Sequence, residues 1–175
     1  ASVCHDYDGD GCDECADGSL DTTGGDDDGD DFDADGTCDS GDGTPWGEVA
    51  LSLSGVGVDG ASLDFSATTN IAGFQFDVSG VTLTDASGGE AEATGFMVSS
   101  SESTVIAFSL DGSSIEAGSG TLIDLSFLEI ADGSTLSISN IIFSATNGKQ
   151  QAVSIPEDAE VPACADNEDD NVCDV

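Results

Sequence analysis

Between residues 46 and 155 the chain alternates between apolar and small or polar positions. Val49, Leu51 and Leu53 are spaced by two, as are Leu63, Phe65 and Ala67, then Phe74, Phe76 and Val78, then Val81 and Leu83. The period returns at Ile106, Phe108 and Leu110 and at Ile123, Leu125 and Phe127. Leu136 and Ile138 then lead into an apolar run at 141–143, and Val153 with Ile155 closes the pattern. Successive side chains of a strand point to opposite faces, so these runs predict half-buried antiparallel strands with one apolar and one Ser/Thr face. Glycine-rich punctuation separates them, at Asp59-Gly60, Gly88-Gly89, Asp111-Gly112, Gly118 to Gly120 and Asp132-Gly133. Short strands at this spacing predict an all-β fold, an antiparallel β-sandwich or jelly roll with one core. Most of the eight phenylalanines fall on apolar faces and are expected inside. Helical periodicity is confined to one possible turn at residues 90–94.

Outside this stretch the pattern stops. Residues 1–45 are Asp, Gly and Cys with only Val3, Tyr7, Leu20 and Phe32 as anchors, and residues 156–175 return to acid and cysteine. The chain therefore reads as an irregular segment 1–45, a sandwich 46–155 and an acidic tail 156–175. Neither end can bury enough apolar surface to offset the entropy of ordering it. Metal ions and disulfides must hold them instead.

Charge narrows the partners. There are 37 acidic residues, one lysine and a formal net charge of -36. Nucleic acid and anionic lipid bind through Lys and Arg, so both are excluded. Self-repulsion on this scale opposes a compact state unless cations or salt screen it. No apolar stretch reaches the roughly 20 residues of a membrane-spanning helix.

The acids are also patterned. Twice they fall into D-x-D-x-D-G with a further Asp at the twelfth position: Asp6, Asp8, Asp10, Gly11 and Asp17, then Asp31, Asp33, Asp35, Gly36 and Asp42. Such spacing wraps alternate side-chain oxygens around one hard cation, and glycine at the sixth position permits the sharp turn. The seventh position gives a main-chain oxygen, here from Cys12 and Thr37. The expected ion is calcium, bound at about 10⁻⁴–10⁻³ M as in extracellular modules. Asp166, Glu168 and Asp170 offer a further, less complete set that lacks the glycine.

Cys4, Cys12, Cys15, Cys38, Cys164 and Cys173 are read as a disulfide framework, which implies an oxidising, extracellular compartment. The opening Ala1-Ser2-Val3-Cys4 is expected of a mature product after leader removal. Pairings are open except for Cys164 with Cys173, whose loop is short and local. The rival reading is zinc, on Cys12-x-x-Cys15 with His5 beside Cys4, but aspartate oxygens dominate that neighbourhood.

Catalysis is not expected. Glycoside hydrolysis needs two acids across a cleft with one pKa raised. Asp64, Asp77 and Asp124 fall within strands and are expected on solvent faces. His5, the single histidine, lies in the irregular segment, and no nucleophile-base constellation falls in the folded part. Sugar binding through stacked aromatics would have to use Trp46 or Tyr7, and Trp46 is expected to cover the bottom of the core.

The D-x-D-x-D-G…C-D texture of residues 6–42 resembles thrombospondin type 3 repeats, in which aspartate loops wind around calcium and disulfides pin the wire. Dockerin and EF-hand loops share the ligand spacing, but their flanking amphipathic helices have no counterpart here. The middle zone resembles cohesin-like β-sandwich modules, on Ile71-Ala72-Gly73-Phe74-Gln75-Phe76-Asp77, Gly95-Phe96-Met97-Val98, Val105-Ile106-Ala107-Phe108-Ser109 and Gly120-Thr121-Leu122. That resemblance implies a jelly roll of about nine strands and a non-catalytic scaffolding or protein-binding role. With metal-ligand clusters at both ends, the first expectation is a secreted structural module. Its copies would join head to tail into a filament, surface layer or matrix. Strand addition by residues 153–155 offers a second joint. The alternative is a monomeric module that grips a protein or carbohydrate with the help of calcium.

Overall fold

A computed structural model of the chain describes residues 31–39, 41–164 and 173. The first aspartate loop (Asp6, Asp8, Asp10, Cys12, Asp17), His5, Cys4, Cys15 and the tail acids Asp166, Glu168 and Asp170 lie outside the described residues. The chain divides into two units, Ala1–Gly47 and Glu48–Val175.

The second unit is a sandwich of two five-stranded sheets. Its elements are β1 (Glu48–Ser54), β2 (Gly60–Ala67), β3 (Ile71–Ser79), β4 (Leu83–Ser87), a one-turn helix α1 (Gly89–Ala93), β5 (Met97–Ser100), β6 (Thr104–Phe108), β7 (Gly118–Phe127), β8 (Ser134–Ala145), β9 (Ala152–Ser154) and β10 (Ala159–Val161). One sheet runs β4-β7-β2-β1-β9 and the other β10-β8-β3-β6-β5. Neighbours are antiparallel except β1 and β9, which run parallel. Among the described residues there are ten strands where about nine were expected. The short closer β10 makes the difference, and it falls in the segment that composition set apart as a tail. Residues 153–155, expected to be a strand donor between copies, are largely spent at home: Ala152–Ser154 pairs with Glu48–Ala50 of the same sheet.

Alternation places the core. Val49, Leu63, Phe65, Phe74, Phe76, Val78, Leu125, Phe127, Leu136, Ile138 and Phe143 all turn inward and are buried. Phe74 sits opposite Phe143 across β3 and β8. Its ring stacks on Phe143 at 5.5 Å, on Phe76 at 6.1 Å and on Phe96 at 6.3 Å. This aromatic stack fills the space behind the second sheet.

Four strands break the period by bulging: β3 at Ala72, β4 at Thr84, and β7 and β8. β7 gains a residue against Leu63 and Asp64, which lets the consecutive Leu122 and Ile123 both be buried. β8 gains one against Gln75 and Asp77, around Asn140, whose φ of 49° is left-handed. After β3 the chain turns at Gly80 (φ 87°), where an added Cβ would overlap the Thr135 carbonyl, so only glycine fits. The expected Cys164–Cys173 disulfide is formed, with Cα atoms 5.6 Å apart. Among the described residues no helix is long and apolar enough to cross a membrane.

β6 corrects the sequence reading. Its buried residues are Val105 and Ala107, whereas Ile106 and Phe108 face outward at 39% and 40% exposure. Leu110 is in the following loop and exposed. In the sequence Thr-Val-Ile-Ala-Phe both faces are apolar, so periodicity alone favoured the bulkier set. The small Val105 and Ala107 fit beneath the phenylalanine stack.

Candidate functional site

The outer face of the second sheet holds the one apolar surface built by strands among the described residues. Met97, Ile106, Phe108 and Ile142 are all exposed and all lie on it, while the other exposed large hydrophobics, Leu110, Leu128 and Ile155, are in loops. The register brings the four together. Gln75 of β3 is flanked by Ile106 of β6 and Ile142 of β8. In the next row, Gly73 lies beside Phe108, which faces Met97 across β5 and β6. Gly73 carries no side chain, so the Phe108 ring borders a shallow dip. Sequence reading passed over this face. Its signal was β6 itself, a strand apolar on both sides in a sandwich that needs only one.

The face grades into a polar end. Asp77 follows Gln75 on the same side of β3, opposite Thr104 of β6. Its Oδ1 accepts a hydrogen bond from Thr104 Oγ1 at 2.7 Å and its Oδ2 one from Asn140 Nδ2 at 2.8 Å. Those two bonds, Asn140 first, hold the carboxyl below its ordinary value against a smaller opposing effect of burial. The other strand acids also lie outward, as expected. Asp64 accepts from Thr121 Oγ1 at 2.8 Å and Asp124 from Ser62 Oγ at 2.6 Å. They belong to the first sheet, where an open trough of about 520 Å³ is lined by Ser52, Asp64, Ser66, Ser119 and Thr121 among others. Among the described residues that face exposes no aromatic ring on which a sugar could stack.

At the end of β6 the chain enters a tight turn that lifts Leu110 to 73% exposure. Asp111 organises it by accepting from Ser113 Oγ (2.6 Å), Ser109 Oγ (2.7 Å) and the Ser113 amide (3.0 Å). These bonds, led by Ser113, lower the Asp111 carboxyl from 3.8 to about 2. A depressed folded pKa means the bonds are fully present above the ordinary value and are lost as pH falls through the folded one. The Ser113 amide chemical shift should therefore stay constant from neutral pH to about pH 4 and titrate with a midpoint near 2. A midpoint at the ordinary carboxylate value would contradict this account of the turn.

The second aspartate loop lies in the first unit. Carboxylate oxygens of Asp31, Asp33 and Asp35 come within 4.8 Å of one another. Asp42 is outside that group, yet its charge reaches Asp33. Backbone amides of the loop donate to its own carboxylates. The Gly36 amide donates to Asp31 Oδ2 at 3.0 Å, the Asp35 amide to Asp33 Oδ1 at 3.3 Å and the Thr37 amide to Asp35 Oδ1 at 2.8 Å. Gly36 takes φ 92°, the left-handed turn for which glycine is suited. Asp42 Oδ1 accepts from the Thr44 amide at 2.9 Å. The oxygens left over matter most: Asp31 Oδ1 and Asp42 Oδ2 are buried without a hydrogen-bond partner. Burial and then repulsion from Asp35, Asp42 and Asp31 push the Asp33 carboxyl up, opposed by the Asp35 amide. A hard divalent cation fits this donor set, since it would satisfy the orphaned oxygens and cancel the repulsion. Trp46 packs edge-on against Phe32 of this loop, with centroids 5.9 Å apart. Cys38 is disulfide-bonded. A second group, Glu129 with Cys164 and Cys173, is no metal set, because its sulfurs are joined to each other.

No protein-family model and no curated protein sequence matches the chain. Solved structures match its fold. A chain of the complex between CaCohA2 and a CaDoc0917 variant is 19% identical, covering 66% of this chain and 99% of that chain at a TM-score of 0.51. The sixth cohesin of Acetivibrio cellulolyticus scaffoldin B, in complex with a Cel5 dockerin variant, is 14% identical, with coverages of 66% and 99% and a TM-score of 0.51. A non-cellulosomal cohesin of the archaeon Archaeoglobus fulgidus is 10% identical, with coverages of 69% and 94% and a TM-score of 0.50. At such identities the likeness is one of fold: the sandwich is cohesin-like.

Proposed function

We propose that this chain is an extracellular, non-catalytic protein-binding module whose partner docks on the outer face of β8, β3, β6 and β5. The observation that carries the reading is the cluster Met97, Ile106, Phe108 and Ile142, exposed on adjacent strands. A contiguous apolar patch with a polar margin is the usual mark of an interaction surface. Large apolar side chains at the centre of such a surface carry most of the binding energy. One of the structures with a similar fold, the sixth cohesin of scaffoldin B, is in complex with a dockerin, which agrees with this use of the sandwich. Calcium enters as a ligand of the loop at Asp31, Asp33, Asp35 and Asp42, in keeping with an extracellular setting.

Binders selected from a displayed random-peptide library against the full chain test the reading. Bound peptide should slow amide exchange in β3, β5, β6 and β8. Ile106→Ser and Phe108→Ser should each weaken binding by about tenfold or more. As substitutions of exposed residues they should leave the melting temperature nearly unchanged. Protection confined to the first sheet, or binding indifferent to both substitutions, would refute it.

Self-assembly into a filament ranks second, because residues 153–155, expected as its second joint, already pair largely within their own sheet. Light scattering that shows calcium-dependent polymers would restore it to first place.

A further inference from the structure

The geometry points to Asp77 as the ion-pair acceptor of the docking face, set to receive an arginine or lysine from a partner protein whose apolar side chains seat on Ile106, Phe108 and Ile142. The inference rests on the docking face proposed above and names the chemistry of what docks there. Asp77 lies two residues beyond Gln75, the residue between Ile106 and Ile142, and so about 7 Å along the strand from the apolar row. A basic side chain with a long aliphatic stem spans that distance while its stem covers apolar surface.

The carboxylate is oriented without being neutralised. Thr104 and Asn140, its two hydrogen-bond donors, are both uncharged. Each oxygen keeps lone-pair capacity for a further donor. The chain has one lysine and no arginine to set against 37 acids, so counter-charge for this face is a partner's to supply.

Asn140 is a positioning residue. It occupies the bulge of β8 at φ 49°, a left-handed conformation that asparagine adopts more readily than other residues with a side chain, and the bulge turns its amide toward Asp77. β3 and β8 are already joined by their ladder along both sides of this point. The bulged asparagine adds little to that ladder. It does fix the direction of one carboxylate at the margin of an apolar patch.

The test uses the full chain and binders selected from the displayed random-peptide library at about 0.15 M salt. The peptides should combine large apolar residues with an Arg or Lys. Asp77→Asn should weaken the leading peptide about tenfold, and Asn140→Gly, which keeps the left-handed backbone, should weaken it less. Replacing the peptide's basic residue by Gln should abolish the effect of Asp77→Asn, the signature of direct coupling. Glu116→Gln, at an exposed acid away from this face, should change nothing and so controls for bulk attraction to the acidic chain. A loss from Asp77→Asn that is equal for the basic and Gln peptides would assign Asp77 to holding the sheet together and overturn the inference. Full affinity in Asp77→Asn, with binding lost in Ile106→Ser, would also overturn it while leaving the docking face standing. Indifference to Ile106→Ser would remove the docking face itself.

Discussion

Replacing Phe143 by alanine should destabilise the sandwich by about 3–5 kcal/mol. Phe143 is fully buried on β8, directly opposite Phe74 of β3, with their rings 5.5 Å apart. Phe74 in turn stacks on Phe76 and Phe96. Removing one ring withdraws its transfer energy and leaves a hole beside Phe74, which β3 holds in place and which cannot close on it. Single domains have only about 5–15 kcal/mol in total, so the variant should show a greatly lowered urea midpoint. Phe108 supplies the internal comparison. It has the same side chain on the neighbouring sheet surface, half in water. Phe108→Ala should cost little stability while impairing binding. Equal destabilisation by the two substitutions would mean that the outward and inward faces of β6 had been assigned wrongly.

Calcium should bind the loop at residues 31–42 with a dissociation constant of about 10⁻⁴–10⁻³ M, and Asp31→Asn should weaken that site by at least about tenfold. Asp31 holds the turn through the Gly36 amide with one oxygen and leaves the other buried and unpartnered. Asparagine would place an amide in that pair and remove one of the charges that the crowded carboxylates offer a cation. Terbium, a luminescent stand-in for calcium, reads this loop in particular. Trp46 is the single tryptophan of the chain and its ring lies against Phe32, between Asp31 and Asp33 in sequence. Terbium emission excited through Trp46 should saturate, be displaced by calcium, and be nearly absent in Asp31→Asn. Emission that Asp31→Asn leaves untouched would remove the loop from consideration.

The sandwich was legible wherever a strand was apolar on one side only. β1, β2, β3 and the second half of β7 sit where period two placed them, because one choice of face buries every large side chain. β6 was legible as a strand but not as a surface. Val105 and Ala107 compete with Ile106 and Phe108, and the decision comes from the space left by Phe74, Phe76, Phe96 and Phe143, which no local window contains. The bulge at Asn140 was hidden for a related reason. An extra residue in β8 is meaningful only against β3, more than 60 positions earlier in the chain. The gathering of Asp31, Asp33 and Asp35 and the left-handed turn at Gly36 were legible, since both follow from local geometry. The local Cys164–Cys173 bridge could be foreseen because few residues separate its ends.

The parallel pairing of β1 with β9 also bears on how the molecule is made. β1 opens the sandwich at Glu48, and its outer neighbour does not exist until Ala152. Of the strand pairs, only β1 with β2 and β5 with β6 join sequential neighbours. Most of the remaining order must therefore be created by contacts remote in sequence, which makes folding slow. A chain emerging from its N-terminus would carry β1 as a bare hydrogen-bonding edge until residue 152 had been delivered. Folding would thus be a late, whole-molecule event, and truncation anywhere before residue 152 would leave a sticky fragment rather than a smaller domain.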